Sequence, residues 1–535
     1  MKLVYTGTQI RNAERPYLEA PDYDGYLMQR AADALAAEAH DMLADAGQHS
    51  QYTRILLLVG PGNNGADTVY AGTRLHQQGY RIEAVLFDPT GNNLEMLARE
   101  SGEGTRVLDT AQSLRDIASY SLIIDGILGT GAKGAARGEA GEYLAKLRAV
   151  QMDGKLPPVL ACDAPTGLDS ERGTLHEPSL AAARTVTFIG RKLPAGTHIA
   201  EHCGTIKIYD LGVPEALKGY KPMLRVMERE DYRDLLEKPS VSSHKYNRGV
   251  LGMLTGSRDY PGAALMSVRA ALNTGVGMVR FNGKDDTLRT LMLGQNPETV
   301  CFTGPPAHEH VHAWAGGSGT GPETLDHNRY LLNAPEPAIL DAGAVDLAAD
   351  YLMAGHSLGE HKILTPHAGE LERFLRRIHE HSPQRWEEML DGALVPSRED
   401  INAEPFRWVR AACELSGATV MLKGSTTLIA LPWVPPIACT GLPGGLLPPE
   451  AAIPSPVFWV LSWHNIWRLR RNVMSRSRDA RMQVLRHWRF TCIIVRRWHR
   501  WRDAKGRFLP AEWPRIYRRR LRDFLMRKPF STIKT

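Results

Sequence analysis

The sequence has no run of 18 apolar residues, so a helix able to span a bilayer is not expected. Its start, Met1-Lys2-Leu3-Val4-Tyr5-Thr6-Gly7, lacks the apolar stretch of a signal peptide, which argues against secretion. Cysteine is scarce: six residues (162, 203, 301, 413, 439, 492) are scattered over 535, with no C-x-x-C. That argues against a zinc knuckle and a disulfide framework, and suits a reducing cytoplasm. There is no G-x-x-x-x-G-K-[ST] segment, which excludes a P-loop protein. No internal repeat of fixed short period is present.

What is present is an ordinary globular composition, 43% apolar and 23% charged, long enough for two or three domains. The formal net charge of +6 hides a strong asymmetry. Residues 461–535 hold 22 Lys+Arg against 4 Asp+Glu, leaving 43 basic against 55 acidic residues in 1–460. Eight of the 11 tryptophans lie beyond residue 430, and eight prolines fall between Pro432 and Pro456. So abrupt a change of composition marks a boundary between parts.

Residues 1–50 read as helical, with Leu27, Met28, Ala31, Leu35 and Ala39 at helical spacing. Short apolar runs then alternate with amphipathic stretches. Ile55–Val59, Ile82–Phe87, Leu122–Ile124, Val159–Ala161 and Thr185–Ile189 read as buried strands. A second series starts near Met223, with strands expected at Val250–Leu254, Val276–Phe281, Ala338–Leu340, Ile363–Leu364 and Thr419–Leu422, and is expected to stop near Ala430. Strands alternating with helices imply βαβ units and mainly parallel sheets buried on both faces.

Ligands of such sheets bind beyond the carboxyl ends of the strands. Three of these ends carry signals in the first series. Gly60-Pro61-Gly62-Asn63-Asn64-Gly65-Ala66-Asp67 follows a strand and precedes a helix expected from Val69. Its glycines let a ligand approach the backbone, and its asparagine carbonyls suit a cation; a plain glycine turn is the alternative. Asp125 ends a strand and is followed by Gly129-Thr130-Gly131-Ala132-Lys133-Gly134, which fits a phosphate-contacting loop better than a dinucleotide fingerprint. Asp163, in Asp163-Ala164-Pro165-Thr166-Gly167-Leu168-Asp169, is a candidate general base or simply the close of a turn. The second series offers His244-Lys245, the glycine loop Gly316–Gly321, Asp341, His367 between a strand and a helix, and the lysine and hydroxyls of Lys423-Gly424-Ser425-Thr426-Thr427. A lone histidine such as His367 is more often structural than a ligand contact.

Together these motifs resemble the bifunctional NAD(P)H-hydrate repair family, an epimerase domain fused to an ADP- or ATP-dependent dehydratase domain. Gly60–Asp67, Asp125-x-x-x-Gly129-Thr130-Gly131 and Asp163–Asp169 match the epimerase in order and spacing. His244-Lys245, the 317–321 loop, Thr365-Pro366-His367-x-Gly369-Glu370 and Leu422-Lys423-Gly424 match the dehydratase. The resemblance implies an α/β protein of two parallel-sheet, three-layer domains. These are a Rossmann-like epimerase over 1–222 and a ribokinase-like, C-terminally incomplete dehydratase over 223–430, followed by an irregular basic tail over 431–535.

The implied chemistry is repair of NADH and NADPH that have gained water at C6 of the nicotinamide ring. The epimerase, an isomerase, interconverts the R and S hydrates. The dehydratase, a lyase, restores the S form at the expense of ADP or ATP with Mg2+. By the same resemblance Asn63, Asn64, Gly65, Ala66 and Asp67 contact the hydrate. Gly129, Thr130, Gly131, Ala132, Lys133, Gly134 and Ala135 wrap its phosphates, and Asp163 is the acid/base at the ring. Asn64, Asp125 and Thr166 hold K+, which suits oxygen ligands. Ala263, Gly321 and His367 are dehydratase substrate contacts, and Lys423, Gly424, Ser425, Thr426 and Thr427 the nucleotide-phosphate site. A homo-oligomer is implied, with no membrane partner.

Two departures stand out. Ala66 occupies a usual glycine position, which costs about 1 kcal/mol or more if positive φ is required there. After Lys423 the family carries a G-G-S-G-D stretch whose helix binds phosphate and whose Asp is the base; here only Thr440-Gly441-Leu442-Pro443-Gly444 echoes it. Its loss coincides with the composition break. Residues from about 431 are therefore read as a frameshifted or otherwise disrupted stretch, with dehydration impaired. The rival is a real basic extension, whose arginines and tryptophans (Arg496-Arg497-Trp498-His499-Arg500-Trp501-Arg502) would bind nucleic acid. A ribokinase-like small-molecule kinase is the other alternative.

Overall fold

The structure, a computed structural model, describes residues 1–48, 52–87, 104–193, 198–228, 240–432 and 434–440, with positions 93, 95, 96, 99 and 231 between them. The anomalous stretch from 441 onward, including its Arg/Trp-rich runs, lies outside the described residues. Two compact units form. One takes Met1–Glu228 and His367–Pro443, and the other holds Arg229–Pro366 among the described residues.

The first unit opens with β1 (Lys2–Tyr5), α1 (Gly7–Leu18) and α2 (Tyr26–Asp45). It continues through β2 (Arg54–Val59), α3 (Asn63–Gln77), β3 (Arg81–Leu86), β4 (Thr105–Val107), β5 (Leu122–Gly126), a helix over Gly138–Met152 and β6 (Val159–Cys162). The short strands β7 (Leu168–Asp169) and β8 (Thr174–Leu175) follow, then β9 (Arg184–Phe188), β10 (Arg191–Lys192), β11 (Thr205–Tyr209) and β12 (Leu224–Val226). The second unit carries β13 (Val250–Leu254), β14 (Met278–Asn282), β15 (Val300–Phe302), β16 (Ala313–Gly316), β17 (Ala338–Leu340) and β18 (Lys362–Leu364), with helices between. The chain then returns to the first unit with helices over Ala368–His381 and Pro405–Ser416 and the strands β19 (Thr419–Leu422), β20 (Thr426–Leu431) and β21 (Val434–Thr440).

An all-parallel seven-stranded sheet in the order β11-β9-β6-β5-β2-β3-β4 forms the body of the first unit. Its central strands β2, β5 and β6 are almost wholly apolar and buried because both faces are covered, while the edge strands β4 and β11 are mixed. Ile55, Leu57 and Val59 of β2 pack with Leu122, Ile124 and Leu160 against α2 and α3. Leu56 and Leu58 point the other way and pack with Ile123 and Val159 against Tyr143, Leu144 and Leu147. That is the period-two alternation of a strand, with helices on either face. On α2 the residues Leu27, Ala31, Leu35, Ala39 and Leu43, four apart, are all buried. The helical reading of the first 50 residues holds for α1 and α2, while β1 and the turn over 19–25 depart from it.

The chain runs outward from β2 to β3 and β4, then returns to place β5 on the other side of β2. Strand order reverses there, and a crevice opens beyond the carboxyl ends of β2 and β5. The first unit has a further strand group in the order β10-β1-β12-β21-β20-β19. In the second unit the order β18-β17-β16-β13-β14-β15 is parallel throughout. Both units are thus α/β with parallel sheets.

Three sequence expectations are corrected. The helix after the first glycine loop begins at Asn63, not Val69. Gly and Asn are weak helix formers and read as loop, but here they occupy a helix start, where unpaired N–H groups suit them. Ala66 is therefore helical, with its N–H on the Gly62 carbonyl at 3.1 Å and no positive φ, so it carries no backbone strain. The second series does not stop near Ala430. β21 pairs antiparallel with β20 and parallel with β12, although Pro435 and Pro436 read as a break.

Gly60 is the residue that lets β2 and β5 meet at the crevice. A Cβ there would lie 1.9 Å from the Ile127 carbonyl oxygen. Gly60→Ala is expected to cost about 1–3 kcal/mol by overpacking. That corresponds to roughly 2–10 °C in the melting of the full chain followed by circular dichroism.

Candidate active site at the strand-order reversal

Four strand ends deliver polar groups to one cavity of about 500 Å3 in the first unit. That size is within the range of small-molecule sites. Asn63, Asn64 and Asp67 come from the first turns of α3, after β2. Gly129, Thr130, Gly131 and Ala132 come from the loop after β5. Asp163 follows β6 and Lys192 follows β9, while Glu14 and Arg11 enter from α1. Gly65 and Ala66 sit behind the lining. A Cβ on Gly65 would meet the Gly60 carbonyl oxygen at 2.0 Å, so glycine is required there, whereas Ala66 is buried without conflict. Lys133, Gly134 and Ala135 lie further along the loop and do not line the cavity.

Asp163 is the most heavily held group. Its backbone is left-handed, with φ 65, a conformation that Asp tolerates better than most residues and that recurs at functional sites. One carboxylate oxygen accepts from the Lys192 ammonium at 2.5 Å and from the Thr187 hydroxyl at 3.2 Å. The other accepts from the Thr130 N–H at 3.2 Å and from the Thr130 hydroxyl. Burial alone pushes this carboxyl up. The charge and hydrogen bond of Lys192 override it, Thr130 adds two donors, and the group is held below the usual carboxylate range. Lys192 also donates to the Thr187 hydroxyl at 2.7 Å and to the Phe188 carbonyl at 3.2 Å.

Asp67 faces the same cavity under opposite conditions. It is 8% exposed, and among the described residues no hydrogen bond or ion pair is drawn to its carboxyl. Burial, then the charges of Asp163 and Glu14, raise its carboxyl well above the ordinary value. Burial likewise raises Glu14, with Asp163 adding to it against Lys192 and Arg11.

Asp125 and Thr166 form a second, fully buried pair. Asp125 accepts from the Thr166 hydroxyl at 2.7 Å, the Thr166 N–H at 2.8 Å and the Ile127 N–H at 3.3 Å. Burial raises Asp125 despite these donors. Asn64 donates to the Cys162 carbonyl at 2.8 Å, which turns its side-chain oxygen toward Gly129, where a Cβ would lie 2.8 Å away. Among the described residues no cationic side chain pairs with Asp125. A buried carboxylate beside hydroxyl and amide oxygens is a donor set that fits a monovalent cation.

Of the other candidates, Ala263 lines a cavity of about 630 Å3 in the second unit with Tyr260, Gly319, Thr320 and Gly343. Gly321, the N-cap of the helix over Pro322–Asn333, closes the same glycine loop. Asp341 accepts from the Ser318 and Thr365 hydroxyls. His367 belongs to the first unit, where it caps the helix over Ala368–His381. Its Nδ1 accepts from the N–H groups of Gly369 (3.0 Å) and Glu370 (3.2 Å), so the neutral ring carries its proton on Nε2. Burial lowers its pKa, with Lys423, Arg373 and Arg398 adding to this against Glu370. Lys423 bridges to His367 along the backbone and lies 3.5 Å from a Glu370 oxygen. Lys423, Gly424 and Ser425 join β19 to β20, while Thr426 and Thr427 are already strand residues paired with β21. The structure thus brings His367 and the Lys423 turn together.

Lys192 and Glu14 were not identified as site residues from sequence. Neither lies in a glycine motif, and a lone lysine after a short strand carries no local signal. Cys162, Cys203, Cys301 and Cys413 are free thiols. No helix of the described residues is long and apolar enough to cross a membrane.

Comparison with known proteins agrees with this division of motifs. The family model of the YjeF-related protein N-terminus matches residues 25–193, and that of NAD(P)H-hydrate dehydratase matches residues 251–440. The bifunctional NAD(P)H-hydrate repair enzyme Nnr of Mycobacterium tuberculosis is 33% identical over 439 residues, covering 81% of this chain and 83% of that protein. Its counterpart from Mycobacterium leprae is 30% identical with the same coverage. Among solved structures, the ADP/ATP-dependent NAD(P)H-hydrate dehydratase from Bacillus subtilis, co-crystallised with ATP/Mg2+, is 22% identical with a TM-score of 0.40, over 56% of this chain and 98% of that one.

The buried ion pair gives a direct expectation. Replacing Lys192 by Met leaves Asp163 without its counter-charge and is expected to cost about 3–5 kcal/mol at pH 7. Because the folded value of Asp163 is depressed, its stabilisation is present above the ordinary carboxylate pKa and is lost as pH falls through the folded value. In Lys192→Met the unpaired carboxyl takes up a proton more readily. The gap between wild type and variant in chemical denaturation is therefore expected to narrow as pH falls from 7 toward 4.

Proposed function

The chain belongs to the bifunctional NAD(P)H-hydrate repair enzymes, and we propose that the crevice of the first unit is its epimerase site. The limits proposed for the epimerase domain are 1–222; the dehydratase domain, expected over 223–430, is proposed to run on through β21 to Thr440. The observation that supports the epimerase reading is the meeting of three separate motifs, Asn63–Asp67, Gly129–Ala132 and Asp163, at one strand-order reversal. The nicotinamide end of the hydrate lies among Asn63, Asn64, Asp67 and Asp163. Its phosphates run along the Gly129–Ala135 loop toward the N-terminus of α3, where unpaired N–H groups and the helix dipole favour anions. Asn64, Asp125 and Thr166 would hold K+, which supplies positive charge beside the buried Asp125 carboxylate. Asp163, kept ionised by Lys192, is the proton acceptor at the ring.

The second reaction uses ADP or ATP as Mg2+ complex. Lys423, Gly424, Ser425, Thr426 and Thr427 hold the nucleotide phosphates, Lys423 as a point charge and the Gly424–Ser425 turn through its backbone. In the second unit Ala263 and Gly321 are the proposed S-hydrate contacts; in the first unit His367 offers its Nε2–H as a donor. Without a G-S-G-D segment after Lys423, this chain lacks the acidic base of that reaction. Four free thiols among the described residues suit a reducing compartment, and cytoplasmic placement is the matching proposal. A homo-oligomer is the assembly the family resemblance favours.

Full-length protein mixed with purified R hydrate, without ADP or ATP, is expected to bring the R and S forms to equilibrium faster than buffer, followed by proton NMR. Asp163→Asn is expected to lower kcat by on the order of 10²–10⁴. Wild-type rates equal to buffer would overturn the epimerase reading. With ADP or ATP and Mg2+ added, recovery of NAD(P)H absorbance is expected to run on the order of 10²–10⁴ below an intact family member, the usual loss with a missing base. Equal rates would show that another group replaces it.

A further inference from the structure

The crevice holds two carboxyl groups in opposite settings. Asp163 is saturated: Lys192, Thr187 and both donors of Thr130 point at its two oxygens. Asp67 is nearly as buried, lines the same cavity, and among the described residues draws no donor and no cation. A carboxylate in that setting has no compensation for lost hydration, whereas a carboxylic acid needs little. Environments that drive two neighbouring carboxyls apart are how a site obtains an acid and a base from one residue type. The charged and titratable groups that act on Asp67 are Asp163, Glu14, the Tyr23 phenol and the buried Cys162 thiol, which is itself pushed up by burial, while Lys192 and Arg11 line the same cavity.

Resting on the epimerase reading above, we propose that Asp67 is a second catalytic residue, the acid that protonates the C6 hydroxyl of the hydrate, while Asp163 is the base for the opposite face. C6 carries both the hydroxyl and the ring nitrogen, so its C–O bond can break without any redox change. The proton passes from the Asp67 carboxyl to the hydroxyl oxygen. The C6–O bond breaks, water leaves, and the ring nitrogen's electron pair forms a C=N double bond. Water then adds to the other face of C6, its proton goes to Asp163, and the nitrogen regains its pair. The reverse direction uses the same two groups with roles exchanged, and proton exchange with solvent resets them. Placement fits this assignment: Asp67 rises from the start of α3 beyond β2, and Asp163 stands beyond β6, with β5 between those strands in the sheet.

The mechanism has a signature that substrate binding alone lacks: each turnover exchanges the C6 oxygen with solvent. Full-length protein is incubated with the R hydrate in 18O-labelled water without ADP or ATP, and oxygen content and R/S ratio are read together by mass spectrometry and NMR. One solvent oxygen per epimerisation event is expected. Epimerisation with retention of the original oxygen overturns the proposal, and this holds even where a variant fails to fold. Asp67→Asn, with its melting checked, is expected to lose on the order of 10²–10⁴ in kcat with KM within a few-fold, and Asp67→Glu to recover part of it. A folded Asp67→Asn with wild-type kcat, or one that raises KM alone, also overturns it. Absence of epimerisation by the wild-type protein is the separate result that fails the underlying reading.

Discussion

The ion pair between Lys192 and Asp163 sets the electrical state of the crevice. A carboxylate buried at the end of β6 is held ionised chiefly by an ammonium, itself almost buried, that reaches it from β10, with the Thr130 donors adding to it. Burial raises the carboxyls of Asp67 and Glu14, and the Asp163 charge adds to both. Burial and this one pair together set the protonation tendencies of three acidic groups. A site meant only to bind an anionic dinucleotide would gain nothing from three carboxyls beside it; a site that moves protons at a ring carbon would.

The sheet explains why these groups meet. A parallel sheet covered on both faces has room for polar side chains only at its ends. The return of the chain from β4 to β5 then opens a gap between two of those ends. Glycines stand where backbones must touch, Gly60 against Ile127 and Gly65 against Gly60, and Gly126 leaves room for the Thr68 hydroxyl. The same close approach places Asn64 beside Gly129 and sets the Asp125–Thr166 pair just behind the cavity.

Much of this was legible in the sequence because the strands that matter are the most apolar ones. Ile55–Val59 and Leu122–Ile124 are unmistakable as buried runs, and the polar residues after them are where a parallel sheet puts its ligand. β4, β11 and β15 were missed because they are edge strands with mixed exposure, and β16, Ala-Trp-Ala-Gly, because small residues carry no strand preference of their own. Lys192 was illegible for a different reason. Its role exists only through Asp163, 29 residues earlier, and no local pattern announces a long-range ion pair. Ala66 shows the converse: a substitution that reads as damage in a glycine loop is harmless once the loop is a helix turn.

The most direct measurement is a crystal structure of full-length Asp163→Asn with NADPH hydrate bound. The hydrated nicotinamide is expected in the first unit's crevice, with the C6 hydroxyl about 2.6–3.2 Å from the Asp67 carboxyl and residue 163 on the opposite face of the ring. A hydrate bound elsewhere, or one whose C6 faces neither residue, would contradict the assignment of this crevice as the place where the two hydrate forms interconvert.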